Sequence, residues 1–72
     1  MKKFVVIFEK TKTGYSAYVP DLPGCISTGK TKQIAERMIY EAIQFHLEGL
    51  QEDGMPIPEP TSEAENLVFA IA

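Results

Sequence analysis

The first third of the chain alternates short apolar runs with turn-forming residues. Residues 4–8 (FVVIF) are β-branched and aromatic with no polar interruption, which predicts a strand covered on both faces. Gly14 closes a turn, and residues 15–19 (YSAYV) then place alternate side chains on two faces. The two runs predict a β-hairpin, which ends at Pro20 because proline has no backbone N–H to donate.

A third extended run covers residues 25–28 (CIST), and a pattern with helical periodicity follows it. Gly29 closes that run, and Thr31 is a suitable N-cap. From Lys32 to about Glu52 the apolar residues recur at spacings of three and four, which predicts one amphipathic helix. The predicted apolar stripe comprises Ala35, Met38, Ile39, Ala42, Ile43, His46 and Leu50, with Ile34 and Phe45 on its flank.

One more strand is predicted after the helix. Gly54 supplies a helix stop, and prolines at positions 56, 58 and 60 make a stiff, extended connector. Residues 67–71 (LVFAI) are again apolar throughout, and we expect this strand to run parallel to the strand before the helix through a right-handed crossover. The fold class is therefore α+β, a two-layer β-β-β-α-β arrangement with one helix, in one domain over residues 1–72.

This architecture leaves apolar surface uncovered. A single helix covers only one face of a sheet, whereas the first and last strands are apolar on both faces. A domain of this size also buries only about 60% of the surface that its unfolded chain exposes. We therefore expect a second copy, a partner protein or both to cover the bare face, with Leu67, Phe69 and Ile71 at the interface between copies.

Composition narrows the class of partner. The net charge of −3 and pI near 5.0 disfavour direct nucleic-acid binding, which depends on Lys and Arg, and suit a basic protein partner better. One Cys and one His cannot form an internal disulfide or a structural zinc site. No apolar run is long enough for a leader peptide or a membrane span, so we expect a cytoplasmic protein.

Residues 24–31 (GCISTGKT) match the phosphate-binding pattern G-x-x-x-x-G-K-[ST] and lead into the helix. A true P-loop follows a buried strand, whereas here Pro20 and Pro23 precede the motif. No later apolar strand ends in an Asp that could hold magnesium. We therefore interpret the motif as a turn, a strand and a helix cap.

The sequence supports a catalytic function as weakly as it supports phosphate binding. Cys25 and His46 could form a nucleophile and base, but both residue types are more often structural on apolar faces, and no third group orients the base. Metal-assisted hydrolysis needs several converging carboxylates, and the predicted strand interiors carry none. The sequence thus predicts a non-enzymatic protein with no catalytic residues, no metal and no cofactor.

The chain resembles a known family along most of its length. Its motif begins with residues 14–25 (GYSAYVPDLPGC) and continues through the helix into the proline connector. The further matching residues are Ser27, Gly29, Thr31, residues 41–43 (EAI), residues 46–50 (HLEGL), Asp53, Gly54, Pro56, Ile57 and Pro58. By these residues the chain resembles the HicB antitoxins, the small partners of HicA toxins in bacterial and archaeal type II toxin–antitoxin modules.

The resemblance implies a partial ribonuclease H-like fold and a β-β-β-α-β order. It also implies that the chain binds a basic, mRNA-cleaving HicA-type toxin and covers its active site. From the uncovered face of the sheet we expect homo-oligomers, dimers or tetramers. Among the exposed acids and the motif we expect toxin contacts at Asp21, Leu22 and Glu48. Many HicB proteins carry a C-terminal DNA-binding domain, which this sequence lacks through Ala72, so we expect no direct contact with nucleic acid.

Two alternatives from other classes stay open at this point. The chain could be a stand-alone oligomeric module that binds another protein or a small molecule. It could also be an enzyme of the P-loop or nuclease type, if magnesium-dependent activity survives purification.

Overall fold

Three strands and one helix make up the regular structure of the computed structural model, which describes all 72 residues. They follow in the order β1 (Ile7–Lys10), β2 (Tyr15–Tyr18), β3 (Ile26–Gly29) and α1 (Lys32–Glu52). The strands form one antiparallel sheet in the order β1-β2-β3, and α1 packs on one face of it against β3 and β2. The predicted α+β class and the order β-β-β-α are confirmed.

The β1–β2 hairpin is closed by a tight turn. The Thr11 amide donates to the Gly14 carbonyl at 2.8 Å, and pairing runs from Lys10 opposite Tyr15 to Ile7 opposite Tyr18. A Cβ on Gly14 would lie 2.2 Å from the carbonyl oxygen of Gly29, so only glycine fits where the turn meets the end of β3.

β1 begins later in the chain than the apolar run that predicts it. Pairing with β2 begins at Ile7, because the chain after Tyr18 turns away from β1 into the next loop. Phe4 and Val6 lie before the paired strand and still pack against the core. The apolar run therefore extends beyond the hydrogen-bonded part of the strand.

The loop between β2 and β3 supplies the centre of the core. Leu22 is completely buried, and three backbone hydrogen bonds fold the loop around it: Leu22 N–H to Val19, Cys25 N–H to Leu22, and Val19 N–H to Cys25, at 3.1 to 3.2 Å. Gly24 has φ of 84°, a conformation that favours glycine. The buried core residues are Ala17, Val19, Leu22, Cys25, Ala35 and Ile39.

The predicted ends of the helix are confirmed. The Thr31 side chain accepts a hydrogen bond from the Ile34 amide at 3.1 Å, and the turn after Glu52 ends in Gly54 with φ of 66°. Ser27 donates its hydroxyl to the carbonyl of Ala35 at 3.0 Å, which fixes the first turns of α1 against β3.

The buried part of α1 is narrower than its apolar stripe. Ala35 and Ile39 are buried, and Ala42 and Ile43 are partly buried. Met38 is 44% exposed, because β3 is the last strand of the sheet and nothing beyond it covers that side of the helix. The single chain therefore covers only part of the predicted apolar stripe.

The strand predicted after the helix is not formed. Residues 63–72, the C-terminal segment, make no strand pairing, so the expected parallel crossover is absent. Leu67, Phe69 and Ile71 are 67%, 73% and 89% exposed. An apolar, β-branched run shows a preference for a pleated surface but does not determine which strand pairs with it.

Leu22, the buried residue of the β2–β3 loop, is expected to contribute strongly to the free energy of unfolding. Leu22→Ala should lower the free energy of unfolding by about 2–5 kcal/mol, because it leaves a cavity in the core. Tyr40→Ala, at a helix position that is 63% exposed, should change it by no more than about 0.5 kcal/mol. Urea unfolding followed by circular dichroism measures both values, and similar losses for the two variants would contradict this account of the core.

Candidate functional site

An open groove lies between β3 and α1, on the side where the sheet ends. Its cavity has a volume of about 690 Å³, and we call it the β3–α1 groove. Its apolar lining comes from Ile26 of β3 and from Met38, Phe45 and Leu50 of the helix. Ile26 and Phe45 are each 68% exposed, so this apolar surface has no partner within the chain.

Carboxylates border the same groove. Glu41 and Asp53 line it, and Glu48 and Glu52 surround an adjoining depression beside Phe45. The last turn of α1 contains no basic residue. Negative side chains at the C-terminal end of a helix are unfavourable for the isolated chain, because that end carries the negative pole of the helix dipole. The arrangement is electrostatically suited to a cationic partner.

Cys25 and His46 both line the β3–α1 groove. Cys25 is buried, and burial raises the pKa of its thiol, which disfavours the thiolate that a nucleophile needs. His46 lies half-buried on the helix beside it. The pair contributes to the wall of the groove.

Residues 24–31, which match the P-loop pattern, have the conformation that the two prolines before them indicate. Gly24 ends the turn, Ile26–Gly29 forms β3, and Thr31 caps the helix. The interpretation as a turn, a strand and a helix cap is confirmed. Backbone in this extended form does not curl around a phosphate.

Asp21 anchors the chain that follows the helix. Its carboxylate accepts hydrogen bonds from the amide and hydroxyl of Thr61 at 3.1 and 3.2 Å, and from those of Ser62 at 3.0 and 3.1 Å. We call this arrangement the Asp21 clamp. The bond from the Ser62 amide is the main cause that lowers the pKa of Asp21. Near it, Lys2 forms an ion pair with Glu59.

The three residues expected to contact a toxin lie in three different environments. Glu48 is exposed beside the β3–α1 groove, Asp21 is engaged in the clamp, and the side chain of Leu22 is buried in the core. Their roles as contacts stay predictions.

Three residues near these surfaces were not singled out from the sequence. Phe45 was placed only on the flank of the helix stripe. Thr61 and Ser62 were given no role, although two adjacent hydroxyl residues after a proline are a recognisable capping signal.

Two further observations concern other classes of site. No group of three or more His, Cys, Asp or Glu side chains lies together in a geometry that could hold a metal ion. The single helix does not have the length and hydrophobicity that crossing a membrane requires.

The fold and the groove define a small α+β domain with an open, apolar surface bordered by acids, a type of surface that binds other proteins. The family model described as the HicB_like antitoxin of bacterial toxin-antitoxin systems matches residues 4–69. The chain belongs to this HicB-like antitoxin family.

Comparison with individual proteins agrees with the family. The chain is 43% identical over 56 residues to an uncharacterized 14.9 kDa protein of Haemophilus phage HP1, covering 78% of this chain and 42% of the relative. It is 30% identical over 66 residues to Antitoxin HicB 2 of Photorhabdus laumondii, covering 92% of this chain and 48% of the relative. The chain thus spans less than half the length of these two relatives.

A solved structure shares the fold. A chain of the HicA3 and HicB3 toxin-antitoxin complex superposes with a TM-score of 0.68 and 32% sequence identity. The match covers 85% of this chain and 72% of that chain.

The Asp21 clamp should depend on pH. Because its pKa is lower in the folded state than the ordinary value of 3.8, the clamp contributes fully above pH 3.8 and is lost as the pH falls through the folded pKa. Asp21→Ala should remove it at every pH and accelerate exchange of the Thr61 and Ser62 amides at least about tenfold. NMR hydrogen exchange measures this effect, with Asp53→Ala as the matched control. Unchanged exchange in Asp21→Ala would contradict the clamp.

Proposed function

We propose that this chain is a non-enzymatic antitoxin that binds a HicA-type, mRNA-cleaving toxin and neutralises it by covering its active site. Membership of the HicB-like antitoxin family supports the role. The likeness to a chain of a HicA3 and HicB3 complex supports the type of partner. A cytoplasmic location follows from the proposal, because a toxin that cleaves mRNA acts there.

The observation that carries the proposal is the apolar β3–α1 groove with its border of carboxylates. A toxin that binds RNA needs cationic side chains to neutralise phosphates. The acids of this chain present the complementary charge, and the chain as a whole carries −3. Such charges accelerate the encounter and orient the partners, while burial of the apolar lining supplies affinity.

Phe45 is the proposed anchor of the contact. An aromatic side chain that is 68% exposed in the lining of an apolar groove is typical of the residues that contribute most to binding energy. Glu48 is adjacent to it and is the proposed partner of a toxin cation. Both lie on one rigid helix, so they are positioned before the toxin arrives.

Asp21 and Leu22 have indirect roles in this proposal. Leu22 holds the β2–β3 loop in the core, and that loop leads directly into Gly24, Cys25 and Ile26 at the groove. Asp21 holds the chain after the helix at the other end of the same loop. Both are therefore positioning residues for the surface that the toxin would contact.

Binding should be sensitive to charge at the groove and insensitive to charge elsewhere on the helix. Glu48→Lys should weaken toxin binding at least about tenfold, because it replaces an attraction to a cationic surface with repulsion. Glu36→Lys makes the same change of charge nine residues before Phe45, about two and a half helical turns away and therefore on the opposite side of α1. Glu36→Lys should therefore leave the affinity for the toxin nearly unchanged.

Co-expression with a small, basic HicA-type toxin provides the measurement. Co-purification, rescue of growth and inhibition of RNA cleavage are expected for the wild type and for Glu36→Lys, and are weakened for Glu48→Lys. Failure of the wild type to bind such a protein or to rescue growth would overturn the antitoxin proposal. Equal binding by both variants would leave the function in place and overturn the choice of groove.

A further inference from the structure

Positive and negative side chains lie in different parts of this chain. Residues 1–32, which contain the sheet, carry six lysines and two acids, a net charge of +4. Residues 33–72, which form the rest of α1 and the segment after it, carry one arginine and eight acids, a net charge of −7. The net charge of −3, from which we expected no contact with nucleic acid, conceals this separation.

Four lysines meet at one end of the sheet, and we call this end the basic pole. They are Lys10 at the end of β1, Lys12 in the hairpin turn, Lys30 after β3 and Lys32 at the start of α1. Lys10 lies opposite Tyr15, which lies opposite Gly29, so the ends of β1 and β3 are about 10 Å apart. None of the four lysines forms an ion pair, since the salt bridge of the chain joins Lys2 to Glu59.

Hydroxyl groups line a depression in the basic pole. Its volume is about 340 Å³, and its lining residues are Thr11, Thr13, Tyr15, Thr28, Gly29 and Lys30. Glu9 and Glu36, the nearest acids along the chain, do not line it. The side-chain hydroxyls that hydrogen-bond within the chain belong to other residues, so those of Thr11, Thr13 and Thr28 are available to a ligand.

We propose that the basic pole binds the ribose–phosphate backbone of single-stranded RNA. Lysine ammonium groups neutralise phosphates, and the release of displaced counterions supplies affinity. Threonine hydroxyls both donate and accept hydrogen bonds, which matches the 2′-hydroxyl that distinguishes RNA from DNA. Tyr15 is half-buried against the core, so contacts to the backbone rather than stacking on bases define the ligand.

This contact differs from that of a P-loop, although Thr28, Gly29 and Lys30 belong to the residues that match the P-loop pattern. A P-loop surrounds one phosphate group with a curled backbone, whereas the extended β3 presents side chains. Side chains spread across the end of a sheet suit successive phosphates of one strand. Thr28 and Lys30 thus contribute to the basic pole without forming a nucleotide cradle.

The basic pole and the β3–α1 groove lie at opposite ends of β3. This strand runs from Ile26 at the groove to Gly29 at the pole. Along the helix, Lys32 precedes Phe45 by thirteen residues, about 20 Å. One chain can therefore hold a toxin at one end and RNA at the other. The inference goes beyond the antitoxin role and does not require it.

Fluorescence anisotropy tests the proposal with the chain alone and a labelled, mixed-sequence RNA of about 12 nucleotides. At about 50 mM salt the wild type should bind with a Kd below about 100 μM. The logarithm of affinity should fall with the logarithm of salt concentration with a slope of about −2 to −3, because three or four lysines contact phosphates.

Lys12→Glu and Lys30→Glu should each weaken RNA binding at least about tenfold and make the salt slope shallower. Lys3→Glu is the matched control, because it makes the same change of charge at an exposed position seven residues before Lys10. It should change affinity less than about twofold. Thr28→Val keeps the shape of the side chain without its hydroxyl, and should weaken binding of RNA but not of DNA with the same sequence.

Absence of RNA binding by the wild type would overturn the proposal, as would equal losses in Lys3→Glu and Lys30→Glu. DNA bound as tightly as RNA would overturn the assignment of RNA to the basic pole. Neutralisation of a HicA-type toxin should be unchanged in Lys30→Glu. A failure of the antitoxin proposal therefore leaves this test valid, and a failure of RNA binding leaves the antitoxin proposal in place.

Discussion

A single helix packed on a three-stranded sheet is the constraint on which the rest of this structure depends. The helix covers one face of β2 and β3, and leaves the opposite face and both edges of the sheet without cover. None of the other strands or helices of the structure covers them. Ile26 and Phe45 are exposed at one edge, and the unpaired edge of β1 lies at the other. The proposed toxin interface follows from this incomplete covering.

The β2–β3 loop connects the two ends of the domain. Leu22 fills the core, Asp21 on one side of it holds Thr61 and Ser62, and Cys25 on the other side lines the β3–α1 groove. The part of the sequence that resembles a phosphate-binding motif therefore has a structural role in this account. Pro20, Pro23 and Gly24 lie in a loop that contributes to the wall of the β3–α1 groove at one end and holds residues 61 and 62 at the other.

Local signals predicted most of the fold, and non-local contacts account for the errors. The Thr31 cap, the helix stop at Gly54 and the hairpin are each encoded within a few neighbouring residues. The engagement of Asp21 depends on residues forty positions away, which no local pattern shows. The final strand was predicted from an apolar run, but such a run does not determine its pairing, and residues 67–71 pair with neither outer edge of the sheet. The exposure of Met38 on the apolar stripe was not predicted, because helical periodicity shows the apolar side of a helix and not the width of the sheet that covers it.

The central claim is that a HicA-type toxin binds this chain at the β3–α1 groove. Hydrogen exchange measured for the chain alone and then with such a toxin tests this claim directly. The account predicts that the toxin adds protection at Ile26–Gly29 and along the groove side of α1. Toxin protection confined to other parts of the chain would contradict it.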